Sequence, residues 1–396
     1  MDFSVKTFYY TQLEGSIAYG CLRILISPDE SKRQHCGRLS YDSVVVGDSK
    51  GQIHYYELRD SSLIEKAKTD PMSKGCARLE KLTRGGKISD KIMTAFGSMV
   101  AAYNVEGKQY FSFDSNLAEV LKWVVAEENK YVFACGEFML NFYTINEGNI
   151  DDTYQYICPS EILDQYADSY DGMGYYVMLL CKDKKLRVIN ERGVVYETKL
   201  DHNAHSCYPF DENAYNFTNK KASGTRQMLL GMSNGEIRCY SVTQFEAKQL
   251  WSINALQMKS KSEAVLIRMF RLSGGSKCDI VVARADGNLE FYAQKDQPGQ
   301  FELIAQTSIN DTVTGLEGSV FNGTPVLMAS TFSGKLVGVT LKNEYRGMED
   351  VVATDGAKAE KERKISQLKK EIEELEKRVE AAKRTKQLEG VFVRIK

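Results

Sequence analysis

Histidine is scarce in this chain of 396 residues, with only His35, His54, His202 and His205. A hydrolase that relies on a histidine base therefore has few candidates, and no nucleophile elbow is expected. None of the nine cysteines forms a CxxC pair: they stand at 21, 36, 76, 135, 158, 181, 207, 239 and 278. The N-terminus, Met1-Asp2-Phe3-Ser4-Val5-Lys6, lacks the charged-then-apolar order of a signal peptide. An odd, scattered cysteine set without that signal predicts free thiols in a reducing compartment. The sequons at Asn216, Asn310 and Asn322 are then expected to stay unused. Cys135, Cys181 and Cys239 sit in apolar, strand-like runs, where cysteine acts as a small hydrophobe. Neither sign of charge dominates, since Lys plus Arg is 52 and Asp plus Glu is 53. No global field draws the chain to nucleic acid or to an anionic membrane. No apolar run approaches the length of a membrane span. A hydrophobic content of 43% is ordinary and allows a sizeable core.

One phrase recurs. An apolar, β-rich run reaches a turn, usually with glycine, and an alternating run follows. The clearest copies run from Val44 to Tyr56, Met228 to Tyr240, Ile280 to Tyr292 and Leu327 to Val339. Weaker ones span Ala95 to Tyr103, Val132 to Tyr143 and Val177 to Ile189. Asn234-Gly235, Asp286-Gly287 and Ser333-Gly334 are hairpin signals, because glycine accepts the positive φ of a tight turn. Seven copies, roughly 38 to 52 residues apart, predict an all-β seven-bladed β-propeller over residues 1–342. A two-domain β-sandwich is the weaker alternative. The last copy supplies about three strands after Thr312, and the alternating segment Phe3, Val5, Thr7, Tyr9 is expected to add the fourth. That closure would remove an exposed sheet edge.

Residues 343–357 read as a polar linker, and 358–389 as an α-helical coiled-coil segment. Ile365, Leu368, Ile372, Leu375, Val379 and Ala382 are spaced as an a/d seam. β-Branched residues at a, with leucine at d, favour two parallel strands. In a parallel homodimer Lys364 would face Lys369, Glu371 would face Glu376, and Arg378 would face Lys383. All three pairs repel, each by a few tenths of a kcal/mol. So short a coil is marginal anyway. The charges therefore select against self-pairing and for a helix with acidic, then basic, then acidic flanks; a solvated single helix, or one packed on its own domain, is the weaker alternative. Val391-Phe392-Val393-Arg394-Ile395-Lys396 alternates like the first strand of a further β domain, so the chain is expected to be truncated there.

Residues that invite catalytic or metal readings fail on spacing. Arg84-Gly85-Gly86-Lys87-Ile88 lacks the first glycine of a P-loop, and no Ser or Thr follows Lys87; it is expected to be a blade loop. Asp164, Asp168 and Asp171 do not alternate as calcium ligands must. His202, His205 and Cys207 would need a further ligand to hold zinc. The 22 tyrosines fit blade cores better than an RNA-stacking platform. No cofactor and no catalytic residue is expected.

Several phrases together resemble a known family. They are Val45-Val46-Gly47-Asp48 with Gly51, Gly107 to Glu119, Asp183 with Leu186-Arg187-Val188, and Ser330-Thr331-Phe332-Ser333-Gly334. The ordered set, followed by the heptad helix, resembles the N-terminal half of the family of the seventh Bardet–Biedl syndrome protein. That family is a subunit of the BBSome, a coat-like ciliary cargo adaptor. The resemblance covers nearly the whole chain; segments 149–172 and 202–227 diverge. It implies a non-enzymatic scaffold or adaptor subunit that takes part in moving membrane proteins in and out of cilia. It implies pairing with the second Bardet–Biedl syndrome protein through the coiled coil, with the ninth and the other BBSome subunits as neighbours. An Arf-like GTPase and membrane cargo would be reached through the complex. The implied location is the cytoplasm, the cilium or flagellum and the basal body, peripheral to the membrane. The residues by themselves leave a second class open: a free-standing propeller that binds a peptide or ligand on its top face.

Overall fold

The structure is a computed structural model. It describes residues 3–343, apart from 26–42, 60–61, 85–86, 127–130, 147–148, 171–173, 211–225, 255–259, 276, 296, 298 and 322–323. The chain divides into two compact units, and the unit Phe3–Lys342 holds seven four-stranded sheets. They form the blades of an all-β propeller.

Each blade pairs its strands in chain order, with the seventh completed by the N-terminus. Blade 1 holds β2 (Ile17–Leu25), β3 (Ser43–Asp48), β4 (Ile53–Arg59) and β5 (Ser62–Lys68). Blade 2 holds β6 (Cys76–Arg84), β7 (Lys87–Phe96), β8 (Met99–Tyr103) and β9 (Gln109–Asp114). Blade 3 holds β10 (Lys122–Ala126), β11 (Tyr131–Cys135), β12 (Met139–Asn146) and β13 (Asn149–Ile157). Blade 4 holds β14 (Ile162–Tyr170), β15 (Gly174–Cys181), β16 (Lys185–Asn190) and β17 (Gly193–Lys199). Blade 5 holds β18 (Ala204–Pro209), β19 (Arg226–Met232), β20 (Ile237–Val242) and β21 (Ala247–Ile253). Blade 6 holds β22 (Ala264–Phe270), β23 (Asp279–Arg284), β24 (Asn288–Gln294) and β25 (Phe301–Ser308). Blade 7 holds β26 (Val313–Phe321), β27 (Thr324–Thr331), β28 (Lys335–Asn343) and β1 (Phe3–Gln12).

The recurring sequence phrase is the second-to-third-strand hairpin of every blade. Its first half is apolar because the second strand is covered on both faces: Asp279–Arg284 of β23 is buried throughout. Gly235 and Gly287 sit in these turns at φ of +88° and +83°. A Cβ on Gly287 would stand 2.5 Å from the Asp311 carbonyl oxygen, so close approach as well as backbone sign demands glycine there. Blade 4 manages without glycine by placing Lys184 at φ +60°.

The core lies between neighbouring blades. Phe133, Cys135 and Leu140 of blade 3 meet Ile162, Val177 and Leu179 of blade 4 in one buried cluster. All eight described cysteines are free, and all but Cys207 are buried. The first strands, β2, β6, β10, β14, β18, β22 and β26, pack on one another in succession, and β26 packs on β2. The ring is therefore closed around an axis.

β1 covers the outer edge of β28, as the alternation Phe3, Val5, Tyr9 predicts. Thr7 is exposed instead of turned inward. Gln12 Nε2 donates to the Ser333 carbonyl at 2.5 Å, and the Leu13 amide donates to Gly334 at 2.9 Å. Deleting residues 1–12 should leave β28 as a bare edge and remove the buried Tyr9, whose burial is worth on the order of 2 kcal/mol. Circular dichroism melting and size-exclusion chromatography should show a lower melting temperature and self-association. A monomer that melts unchanged would show that β1 is dispensable.

Candidate functional site

The expected partner seam, Ile365 to Ala382, and its selecting charges, Lys364 to Lys383, lie outside the described residues. So do residues 344–357 of the linker and the terminal run 390–396. Within the propeller, a linked set of charged side chains from the first strands stands along the axis.

The axial residues come from the first strands. Arg23 interrupts the apolar run of β2, and its Nη2 meets Glu80 of β6 at 3.0 Å. Arg78 Nε also meets Glu80, at 2.6 Å, and its Nη1 lies 3.5 Å from Asp164 of β14. Asp164 accepts the Cys207 amide of β18 at 2.9 Å. Lys81 pairs with Glu317 of β26, and the Tyr19 hydroxyl of β2 donates to the Val265 carbonyl of β22. Arg268 donates from Nε to the Leu316 carbonyl at 3.1 Å and lies 5.1 Å over the Tyr208 ring. Lys122 of β10 donates to the Ile162 carbonyl at 3.0 Å. Three of these links join blades that are not neighbours: Tyr19 joins 1 with 6, Arg78 joins 2 with 4, and Lys81 joins 2 with 7.

A local distortion aims this network. β6 is irregular between Ala77 and Glu80, and Arg78 takes a φ of +49° there. Buried Trp123 pins the bulge by donating Nε1 to the Ala77 carbonyl at 2.8 Å. Burial alone would raise the Glu80 carboxyl, but Arg23 and Arg78 overcome it and hold the group below its ordinary value. Burial, then Asp164, pushes the Cys207 thiol well up. Tyr19 keeps 52% of its area accessible, yet its phenol is pushed upward first by burial and then by Asp164. Both hold for a side chain standing in a narrow axial space. Carboxylates are paired, and thiol and phenols are held protonated. That chemistry suits bracing the ring more than proton transfer.

The Gly-x-Ser-x-Gly spacing does occur, at Gly47-Asp48-Ser49-Lys50-Gly51, but it runs from β3 to β4. A nucleophile elbow needs a strand-to-helix turn. The His54 ring nitrogens face carboxylates, Glu65 at 3.1 Å and Asp48 at 3.4 Å, while Ser49 Oγ faces Ser16 Oγ. Arg84 pairs with Lys87 across the β6–β7 hairpin, so that stretch is a blade connection. Asp164 is committed to Arg78 and Cys207, and Cys207 Sγ faces it at 3.4 Å. His205 lies 3.7 Å from Glu263. Among the described residues no three His, Cys, Asp or Glu side chains group as metal ligands.

The axial network was not foreseen from the sequence. Its one signal is charge at strand positions, as in Leu22-Arg23-Ile24 and Arg78-Leu79-Glu80-Lys81. Spacing cannot show that Lys81 finds a partner at Glu317.

Comparison with known proteins adds a second line. Residues 32–341 match a family model described as the BBS7 beta-propeller. The chain is 24% identical over 375 residues to "BBSome complex member bbs-7" of Caenorhabditis elegans, covering 92% of this chain and 47% of that protein. It is 24% identical over 345 residues to "BBSome complex member BBS7" of Mus musculus, covering 85% and 45%. The chain thus spans under half the length of these relatives. Among solved structures, BBS1N in complex with ARL6DN aligns with a TM-score of 0.61 at 13% identity, over 87% of this chain and 99% of that one. The Myceliophteria thermophila Cps50 (Swd1) β-propeller domain aligns with a TM-score of 0.59 at 13% identity, over 86% and 100%. At such identity the likeness is one of fold.

Proposed function

Because this chain belongs to the BBS7 beta-propeller family, we propose that it is a non-enzymatic scaffold and adaptor subunit of the BBSome. The observation that carries the reading is the family match, which spans nearly the entire propeller. In this reading the complex is coat-like and moves membrane proteins to and from cilia. The chain works in the cytoplasm, the cilium and the basal body, and meets the membrane through its partners. No helix among the described residues is long and apolar enough to cross a membrane.

Assembly runs through the heptad segment. Its seam pairs in parallel with a helix of the second Bardet–Biedl syndrome protein, and the ninth protein and the other subunits complete the neighbourhood. The like-charged flanks, Lys364 with Lys369, Glu371 with Glu376, and Arg378 with Lys383, support a heterotypic pair. An Arf-like GTPase and cargo reach this chain through the complex. The neighbour BBS1N was crystallised with ARL6DN, which fits a division of labour among sister propellers. The braced axis supports a role as a rigid body.

The test is affinity purification of the tagged chain from ciliated cells, with partners identified by mass spectrometry. BBSome subunits should dominate the recovered set. A folded chain that repeatedly recovers none of them would sink the reading.

A further inference from the structure

We propose that the upper end of blade 3, the end bearing its β11–β12 turn, is a docking surface for a partner segment that combines apolar side chains with lysine or arginine. Three large apolar residues are exposed there: Leu121 at 42%, Phe138 at 43% and Ile157 at 70%. The backbone places them together. The Leu121 amide donates to Cys135 at 2.9 Å, at the foot of the turn that carries Phe138. The Cys158 amide donates to the Phe138 carbonyl at 2.7 Å, and Ile157 pairs with Met139.

The other blades serve as internal controls. Leu121 stands just before a first strand. The residues just before the first strands of blades 1, 4, 5, 6 and 7 are Ser16, Glu161, Asn203, Glu263 and Thr312, each of which receives the amide that follows its second strand, whereas in blade 3 that amide, of Gly136, goes to Met139. Ile157 lies opposite the first residue of a third strand. Its counterparts in blades 2, 4 and 6 are Asp114, Lys199 and Ser308, and in blade 5 it is Ile253, which is buried. Phe138 immediately precedes a third strand, where blades 2 and 4 carry Ser98 and Lys184. The propeller fold therefore does not require an apolar group at these places. One blade carries all three, against the cost of exposing them to water. Phe332, on the blade 7 turn, is exposed without such company, since Thr312 stands beside it.

Charge selects the partner. Glu119 and Glu137 are exposed beside the apolar residues, on the loop before β10 and on the turn itself. The nearby Lys182 is already engaged by Glu161 at 2.6 Å. An apolar patch with an acidic rim favours a segment that carries cations around its apolar anchors, and it disfavours acidic peptides and anionic lipid. This inference does not depend on assembly into the BBSome, so the two can fail separately.

The test uses the whole chain and a fluorescein-labelled peptide of alternating Leu and Lys, read by fluorescence anisotropy. A Leu–Glu peptide of equal length is the control. The wild-type chain should bind the Leu–Lys peptide, and the Leu–Glu peptide should bind about tenfold more weakly or worse. A triple variant, Leu121→Ser with Phe138→Ser and Ile157→Ser, should lose about tenfold or more. It should still fold, because other blades hold polar residues at these places, and circular dichroism checks that. Glu119→Gln with Glu137→Gln should weaken binding and flatten its salt dependence. Phe245→Ser, at an exposed turn of blade 5, should change nothing. Equal binding by the wild type and a folded triple variant would overturn the proposal. So would equal affinity for the two peptides. A concentration-dependent dimer that the triple variant abolishes would assign the patch to a second copy of the chain instead.

Discussion

Replacing Glu290 with alanine should destabilise the propeller by about 3–5 kcal/mol. Glu290 and Arg284 form an ion pair in blade 6 with both side chains 0% exposed. Arg284 Nε lies 2.8 Å from Glu290 Oε2, which also accepts the Tyr292 hydroxyl at 2.8 Å. The far side of the guanidinium donates to the Gly235 carbonyl and, at 3.2 Å, to the Ser262 carbonyl. The pair thus joins blade 6 to the second-to-third-strand turn of blade 5. Removing the carboxylate leaves a buried, uncompensated cation, and that loss outweighs any gain in local packing. Removing both partners behaves differently. Arg284→Met with Glu290→Leu abolishes the charges together, so the double variant should be clearly more stable than Glu290→Ala. Urea denaturation followed by circular dichroism measures both. A Glu290→Ala cost under about 1 kcal/mol would mean that water reaches the site.

In the heptad segment, Ile372→Asp should abolish co-purification with the partner subunit. Aspartate at an a position would sit in the seam, where a charge without a partner costs several kcal/mol. That exceeds what a seam of fewer than three heptads has in reserve. Charge reversal at Glu371 and Glu376 should weaken pairing far less, because exposed pairs are worth only about 0.2–1 kcal/mol each. An isolated peptide of residues 358–389 should be poorly helical at micromolar concentration. Circular dichroism and analytical ultracentrifugation decide that point. A stable homodimer would show that the like-charged flanks do not select the partner.

Legibility in the sequence followed burial. The second and third strands could be read because both faces are covered and, in blades such as 5 and 6, the turn between them holds a glycine at positive φ. Val44-Val45-Val46-Gly47 and Ile280-Val281-Val282-Ala283 are plain apolar runs for that reason. First strands were harder, because one face looks at the axis and takes charge. Beyond charge at strand positions, nothing in the sequence singles out Arg78, Glu80 and Lys81; the ring brings Asp164 to Arg78 and Glu317 to Lys81. Outer strands were least legible. β17 exposes Val194 and Val195 and so carries no inward period. The blade 3 patch was not foreseen either, because an exposed leucine or phenylalanine in one strand-rich sequence looks like core. Only comparison of equivalent places around the ring separates it.

The strand that completes blade 7 has a temporal consequence. Gln12 bonds a carbonyl 321 residues further along the chain. At about 5–20 residues per second of synthesis, β1 waits roughly 15–65 seconds before β28 exists to receive it. For that interval the first-made strand of the propeller has no lawful neighbour, and Phe3, Val5 and Tyr9 have nothing to cover them. Ring closure is then the last and most non-local step of folding, with a large loop-closure entropy placed at its end. Until the ribosome has passed residue 343, β1 of a nascent chain therefore lacks the edge with which it pairs in the finished ring.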